Sequence, residues 1–245
     1  MKTSTSNHTR RYYVACLLIR AAAFLVLAAY AVLSPDQFLA DLATASLRVT
    51  PLTVVWFLLM ASMVLRLFPS KVESLGCQKE FGRRYRSTGR VPAEADVQKA
   101  DRGAIWVLAC WAAVNCLFFL ARRIGWVDDR FLVCLAGFYG VCDIICILFF
   151  CPFQAWIMHN RCCTTCRIYN WDYLMLCTPM LFIQGFLAQS ACILSILIFL
   201  RWEITYLFRR ERFFESSNAS LRCSQCQEHL CQYKRALSPH LRPEQ

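Results

Sequence analysis

The chain has 245 residues, of which 58% are hydrophobic and 18% charged, and its formal net charge is +11. Soluble domains carry about 25% charged residues, and the apolar residues here form long runs instead of recurring at the period of an amphipathic helix or strand. The composition therefore disfavours a soluble domain and indicates an all-α membrane protein.

A helix that crosses a hydrocarbon layer about 30 Å thick needs about 20 apolar residues. Four apolar runs approach or reach this length, and a fifth region, 169–208, is about twice as long and is interrupted by Pro179 and Gly185. We interpret this region as two short spans joined near Gly185, which gives a polytopic bundle of six helices. One long tilted helix over the same residues would give five. The predicted spans cover residues 12–33, 51–68, 104–121, 131–153, 170–185 and 189–208.

Lysine and arginine are concentrated in segments 1–11, 69–103 and 209–245. Basic loops are retained on the cytoplasmic side, and six spans place all three segments there. The prediction is a multi-pass protein of the cell membrane with a tail at 1–11, a bundle at 12–208 and a cysteine-rich tail at 209–245. We expect the basic segments to contact anionic headgroups and allow for a membrane protein partner. No nucleic-acid module with basic residues interleaved among exposed aromatics is present, so no nucleic acid is expected.

Sixteen cysteines are the most unusual feature of the composition. Half lie within predicted spans, where a thiol behaves as a small apolar side chain. These are Cys16, Cys110, Cys116, Cys134, Cys142, Cys146, Cys177 and Cys192. The others fall at the predicted cytoplasmic face, where clustered thiols bind metal or do redox chemistry more often than they form stable disulfides. These are Cys77, Cys151, Cys162, Cys163, Cys166, Cys223, Cys226 and Cys231.

Two Cys-x-x-Cys pairs stand out among the cytoplasmic cysteines: Cys163 with Cys166, and Cys223 with Cys226. A two-residue gap lets both sulfurs reach one ion at about 2.3 Å, and two such turns complete a tetrahedral zinc site. A four-thiolate iron–sulfur cluster is the alternative cofactor, and metal-free redox thiols remain open. Flanking arginines, Arg167 among them, are expected to lower the thiol pKa values. Possible additional ligands are Cys151, His159, Cys162, His229 and Cys231.

Two charged residues fall inside predicted spans, Arg20 in the first and Asp143 in the fourth. Each lies roughly 12 to 14 Å from the cytoplasmic end of its helix at 1.5 Å per residue. An unpaired charge at this depth costs at least about 2.5 to 3.5 kcal/mol, so we predict that the two form an intramembrane ion pair. A structural role is favoured over a proton or ion relay, because few other polar residues would continue a pathway.

Two further segments are predicted from their charge and aromatic patterns. The connector 69–103 is expected to lie solvated on the headgroups, with Cys77 as a minor candidate ligand. The stretch 202–223 is expected to continue the last span as an amphipathic helix along the interface. Asp172 is expected to begin a helix.

No nucleophile and base arrangement is found, so no enzyme activity is assigned. The first function class is a membrane component with a cytoplasmic four-cysteine metal site that joins loop 151–172 to the tail, serving redox, sensing or assembly. The second is a transporter for a soft metal ion or other small solute, with Cys142, Asp143 and Cys146 as an inner relay. The third is a membrane thiol enzyme.

Overall fold

The computed structural model describes residues 2–44, 48–68, 75–81, 84–160, 162–226 and 231. Regular structure in this part of the chain is helical, with one isolated β-bridge between Ser87 and Asn218. The α-helices are α1 (Lys2–Leu33), α2 (Pro35–Ala43), α3 (Pro51–Leu67), α4 (Leu75–Phe81), α5 (Glu94–Arg123), α6 (Asp129–Leu148), α7 (Asp172–Cys177) and α8 (Phe186–Phe208).

Four of these helices are long and apolar enough to cross a membrane. They are Thr9–Leu33 within α1, Glu94–Arg123, Asp129–Leu148 and Phe186–Phe208. Helix α3 is apolar but has 17 residues. The membrane-protein prediction is supported by these helices, whose outer faces carry many exposed large apolar side chains.

The helices pack as two long pairs around one core, with α1 along α6 and α3 along α8. Short helix α7 lies between α6 and α8. The centre of the core is formed by side chains that are at most 1% exposed, Phe38, Met63, Leu132, Ala191 and Ile198. Two 3₁₀ turns outside these helices, Cys163–Thr165 and Arg210–Arg212, pack against α6 and α8 respectively.

The region 169–208 is divided where Pro179 and Gly185 were expected to break it. After α7 the chain forms a 3₁₀ helix over Thr178–Phe182 and becomes extended at Ile183. Gly185 then takes a φ of +152°, and an added β-carbon would lie 2.4 Å from the Leu42 carbonyl oxygen. Only glycine fits this turn without strain. The alternative of one continuous helix is therefore wrong, and α8 begins three residues before the predicted residue 189.

Two other predicted boundaries differ from the structure. Helix α6 ends at Leu148 and not at residue 153, because Pro152 has no N–H to donate to the Leu148 carbonyl and its ring would clash with that carbonyl in a continuous helix. The next residues form a π-helical turn, Phe153–Ile157. Helix α5 begins at Glu94, ten residues before the predicted span, because residues 94–103 are already helical and continue without a break into the apolar run.

The prediction for the tail is wrong, and the prediction of a solvated connector is wrong for α4 but agrees with residues 84–96, which are mostly exposed. Within α4, residues 76–80 are buried, and Cys77 and Glu80 are both 0% exposed. Helix α8 ends at Phe208, and the tail continues as short 3₁₀ turns instead of an amphipathic helix. The reason is that the ring of Phe213 packs edge-on against Trp202, which returns the tail to the bundle. We call α4 with residues 84–90, 151–171 and 209–226 the capping layer.

Candidate metal centre and its surroundings

Both Cys-x-x-Cys pairs adopt the same closed turn. The amide of Cys166 donates to the carbonyl of Cys163 at 3.1 Å, and the amide of Cys226 donates to the carbonyl of Cys223 at 3.2 Å. Each pair forms a 3₁₀ turn that ends in an extended residue, with φ/ψ of −79°/134° at Cys166 and −69°/131° at Cys226. A tight turn of this kind suits two sulfurs that share an ion.

The four cysteines differ in their surroundings. Cys163 is half-buried, and its thiol donates to Gln154 Oε1 at 2.6 Å. Cys166 is buried in an apolar cluster, whereas Cys223 is exposed and Cys226 is half-buried. Among the residues that the structure describes, no three His, Cys, Asp or Glu side chains gather in a group that could hold a metal ion. The four-cysteine site thus stays a prediction.

The possible additional ligands are distributed over the same layer. Cys151 accepts from the amide of Gln154 at 3.4 Å, and its thiol lies within hydrogen-bonding reach of Cys146. Cys163 also donates to the carbonyl of Cys146 at 3.3 Å. Cys146 therefore contacts Cys151 through its thiol and Cys163 through its backbone carbonyl at the end of α6, and sequence spacing did not reveal these contacts. His159 has a left-handed backbone, Cys162 and Cys231 are half-buried, and His229 lies outside the described residues.

Flanking arginines were expected to lower the thiol pKa values, and for Cys166 this is wrong. Burial raises the pKa of the Cys166 thiol to about 12. Arg167 is directed instead at Glu203, with Nη1 to Oε1 at 2.7 Å. The Arg167 guanidinium stacks on the ring of Tyr206, with the guanidinium carbon 3.6 Å from the ring centroid. The arginine next to the first cysteine pair therefore anchors the loop to α8 and does not activate the thiol.

The tail that carries the second cysteine pair is fixed by Asn218, whose side chain is fully buried. Its Nδ2 donates to the carbonyl of Lys79 in α4 at 3.0 Å and to the carbonyl of Arg212 at 2.7 Å. Backbone bonds from Thr88 to Ser217 and from Ala219 to Arg86, at 2.9 and 2.8 Å, join the tail to residues 84–90. The tail and the first cysteine loop thus share one layer, since both pack against α4.

The two charged residues predicted to pair are in contact. Arg20 Nη1 lies 2.7 Å from Asp143 Oδ2, and it also donates to the carbonyl of Gly140 at 2.9 Å. The contact joins α1 to α6. The depth of this pair in a bilayer stays a prediction.

A second ion pair was missed from the sequence. Arg66, near the end of α3, lies 2.6 Å from Asp172 at the start of α7. The same nitrogen donates to Asn170 at 2.8 Å, and Asn170 accepts from the thiol of Cys77 at 3.3 Å. Asp172 therefore begins a helix as expected and also binds α3. The sequence did contain a signal for this pair, since Arg66 lies near the end of one apolar run and Asp172 near the start of another.

The structure thus gives two matching cysteine turns, contacts of Cys146 with Cys151 and Cys163, and ion pairs that join Arg20 to Asp143 and Arg66 to Asp172. No protein-family model, curated protein or solved structure matches the chain.

Proposed function

We propose that this chain is a multi-pass membrane protein whose capping layer binds a metal ion and acts as a redox, sensing or assembly component. The ion is zinc, with a four-thiolate iron–sulfur cluster as the alternative, and its ligands are Cys163, Cys166, Cys223 and Cys226. The observation that carries this proposal is that both cysteine pairs adopt the same closed turn. Both turns belong to segments that pack against α4.

The proposal includes six membrane crossings with both termini in the cytoplasm of the cell. The fifth crossing along the chain is the segment 170–185, whose residues 172–185 begin beside Arg66 and end beside Leu42. Trp111, near the middle of α5, donates to Thr178 within this segment at 3.2 Å. Its helical, 3₁₀ and extended residues together reach roughly 29 Å, close to the thickness of the hydrocarbon layer. An even number of crossings puts the first cysteine loop and the tail on the same side.

A bound ion would attach the tail to the loop that carries Cys163 and Cys166. In the chain, these two segments are separated by the last two proposed crossings. The thiols must lose their protons to bind a metal, and burial raises the pKa of Cys166 to about 12, which opposes its ionisation. We therefore expect metal affinity to increase with pH, and the thiol of Cys166 to move out of its apolar cluster on binding. A layer of this kind offers a surface for a membrane protein partner beside the anionic headgroups.

The test is metal analysis and an absorption spectrum of anaerobically purified protein. We expect about one zinc per chain without visible colour, and brown protein with sulfide if the cofactor is an iron–sulfur cluster. The double variant Cys223→Ser/Cys226→Ser should lose the metal. The matched control is Cys110→Ser/Cys116→Ser, which changes two exposed cysteines of α5 and should keep it. Substoichiometric metal together with freely titratable thiols in the wild type would contradict the proposal.

A second candidate is a transporter for a soft metal ion. It is favoured by the contact of Cys163 with the carbonyl of Cys146, which joins the surface cysteine loop to α6. Cys142 lies one turn before Cys146 on that helix, while Asp143 is engaged by Arg20. The test is metal flux into proteoliposomes, which should fall in Cys146→Ser and persist in Cys110→Ser. Stoichiometric metal binding without metal flux would exclude the transporter and favour the first candidate, a membrane component that holds the metal in its capping layer.

A further inference from the structure

A cavity of about 400 Å³ lies between α1, α3, α6, α7 and α8. This volume falls in the range of small-molecule sites, roughly 300 to 1,000 Å³. Its floor is formed by small residues of two helices, Gly137 and Gly140 of α6 and Ala188 of α8. The cavity contains none of the cysteines proposed to bind metal, so it is a separate site.

The mouth of the cavity lies between α1 and α3. Ile19 on α1 and Leu58 and Leu65 on α3 line the cavity and are exposed, at 64%, 61% and 53%. These rims belong to the apolar faces that the two helices present outward. Large exposed apolar rims of this kind suit surrounding hydrocarbon better than water, so the opening is suited to a ligand that enters from the lipid phase.

One end of the cavity is polar because the Arg20–Asp143 and Arg66–Asp172 ion pairs meet it. Arg20 and Arg66 line the cavity, and each contacts its aspartate through Nη1. In the described part of the chain, the other guanidinium nitrogens of these two arginines donate to no protein group. Both side chains retain solvent-accessible surface, 29% and 13%. Two forks of hydrogen-bond donors are therefore available at this end.

The rest of the cavity is apolar and elongated. Along α3 the lining runs from Arg66 to Leu52, which is roughly 21 Å at 1.5 Å per residue. Between these ends it is bounded by Phe24 and Trp56. A site of about 400 Å³ that is polar at one end, apolar over the remaining length and open towards lipid suits the phosphate end and one acyl chain of a phospholipid, with the second chain left in the surrounding lipid.

We propose that this cavity binds one membrane glycerophospholipid, with its phosphodiester at Arg20 and Arg66 and an acyl chain along α3. Arginine presents a planar fork that matches phosphate oxygens. Asp143 and Asp172 already balance the two positive charges, so the site suits a singly charged phosphodiester better than a dianionic phosphate. This proposal is independent of any metal in the capping layer.

The test compares retained phospholipid in two variants of adjacent alanines on α1. Ala23 lines the cavity, whereas Ala22 is exposed on the outer face. Protein is purified, exchanged extensively into detergent and examined by native mass spectrometry and by phosphorus content. We expect one phospholipid per chain in the wild type and in Ala22→Phe, and at least a tenfold loss in Ala23→Phe.

A second pair on α3 keeps the test decisive if Ala23→Phe does not fold. Val55→Phe fills the cavity and Val54→Phe changes the exposed face. If a folded cavity variant and its control retain equal amounts of phospholipid, the proposal is overturned. The lipid would then be bound on the outer surface of the helices and not in the cavity. The proposal would equally fail if the wild type held no phospholipid after incubation with phosphatidylglycerol vesicles. Excess inorganic phosphate should not displace the lipid, and displacement would show that the site binds free phosphate instead.

Discussion

Arg167 and Glu203 form a two-pronged ion pair, with Nη1 to Oε1 at 2.7 Å and Nη2 to Oε2 at 2.5 Å. The pair joins the loop after the first cysteine turn to α8, and Trp171 adds a hydrogen bond to the same carboxylate at 2.7 Å. Because Arg167 is only 8% exposed, solvent screens this contact less than a surface ion pair. This ion pair therefore helps to hold the first cysteine loop against α8.

Arg167→Lys is expected to loosen this loop. Lysine keeps the charge but loses the planar fork and the stacking on Tyr206, so we expect a loss of about 1.5 to 3 kcal/mol, the value of a charged hydrogen bond. The measurement is thermal unfolding in detergent together with the alkylation rate of Cys166, which should rise. Arg209→Lys, at an exposed position after α8, is the control. Unchanged stability and alkylation would contradict the anchoring role.

Asp143→Asn is expected to lower the yield and stability of the folded protein. The substitution leaves Arg20 without its carboxylate, and an unpaired arginine at bilayer depth costs about 2.5 to 3.5 kcal/mol. The double variant Arg20→Gln/Asp143→Asn should recover much of this loss, since it leaves no unpaired charge. Asp96→Asn, on the exposed start of α5, is the control. Normal folding with a specific loss of transport would instead indicate a relay.

Asn218→Ala is expected to detach the tail from α4. Two backbone carbonyls, those of Lys79 and Arg212, lose the Nδ2 donor, and each unsatisfied buried group costs about 1 to 3 kcal/mol. Limited proteolysis should then cleave within 209–226 at least several-fold faster than in the wild type. Gln225→Ala removes an exposed amide in the same tail and should leave cleavage unchanged. If Asn218→Ala and Gln225→Ala were cleaved by the protease at the same slow rate, Asn218 would not be the residue that fixes the tail.

Glu80 should make stability depend on pH. Its carboxylate is fully buried in α4, and neither oxygen has a hydrogen-bond partner among the described residues. Burial raises its pKa well above 4.5, against the opposing charges of Lys79 and Arg167. Glu80 therefore stays protonated in the folded state at pH values where the unfolded chain has released the proton. Above about pH 4.5 the free energy of unfolding should then fall as pH rises, by up to about 1.4 kcal/mol per unit, until the raised pKa is passed.

Glu80→Gln is the test of this pH dependence. The amide cannot ionise, so the variant should be at least as stable as the wild type at pH 8. Its free energy of unfolding should also change less between pH 5 and pH 8. Unfolding midpoints in detergent give the comparison, with exposed Glu94→Gln as the control. A slope identical to the wild type would mean that Glu80 is not the responsible group.

Much of the helical framework follows from the sequence. Apolar run length predicted the long helices, because a helix that faces hydrocarbon needs little besides apolar side chains of sufficient number. Pro179 and Gly185 marked the interruption before α8, since their backbone preferences act locally. The contact between Arg20 and Asp143 was also predictable, because an isolated charge in an apolar run requires a partner and few were available.

The capping layer was decided only by tertiary contacts. The burial of α4, the return of the tail through Asn218 and the pairing of Arg167 with Glu203 join residues that are far apart in the chain. A polar segment of mixed charge has many possible partners, so its composition alone could not distinguish a solvated connector from a buried one. The sequence therefore determined which segments are helical and apolar. The packing of the whole chain determined which polar groups meet, because that choice depends on distances between segments that no local pattern encodes.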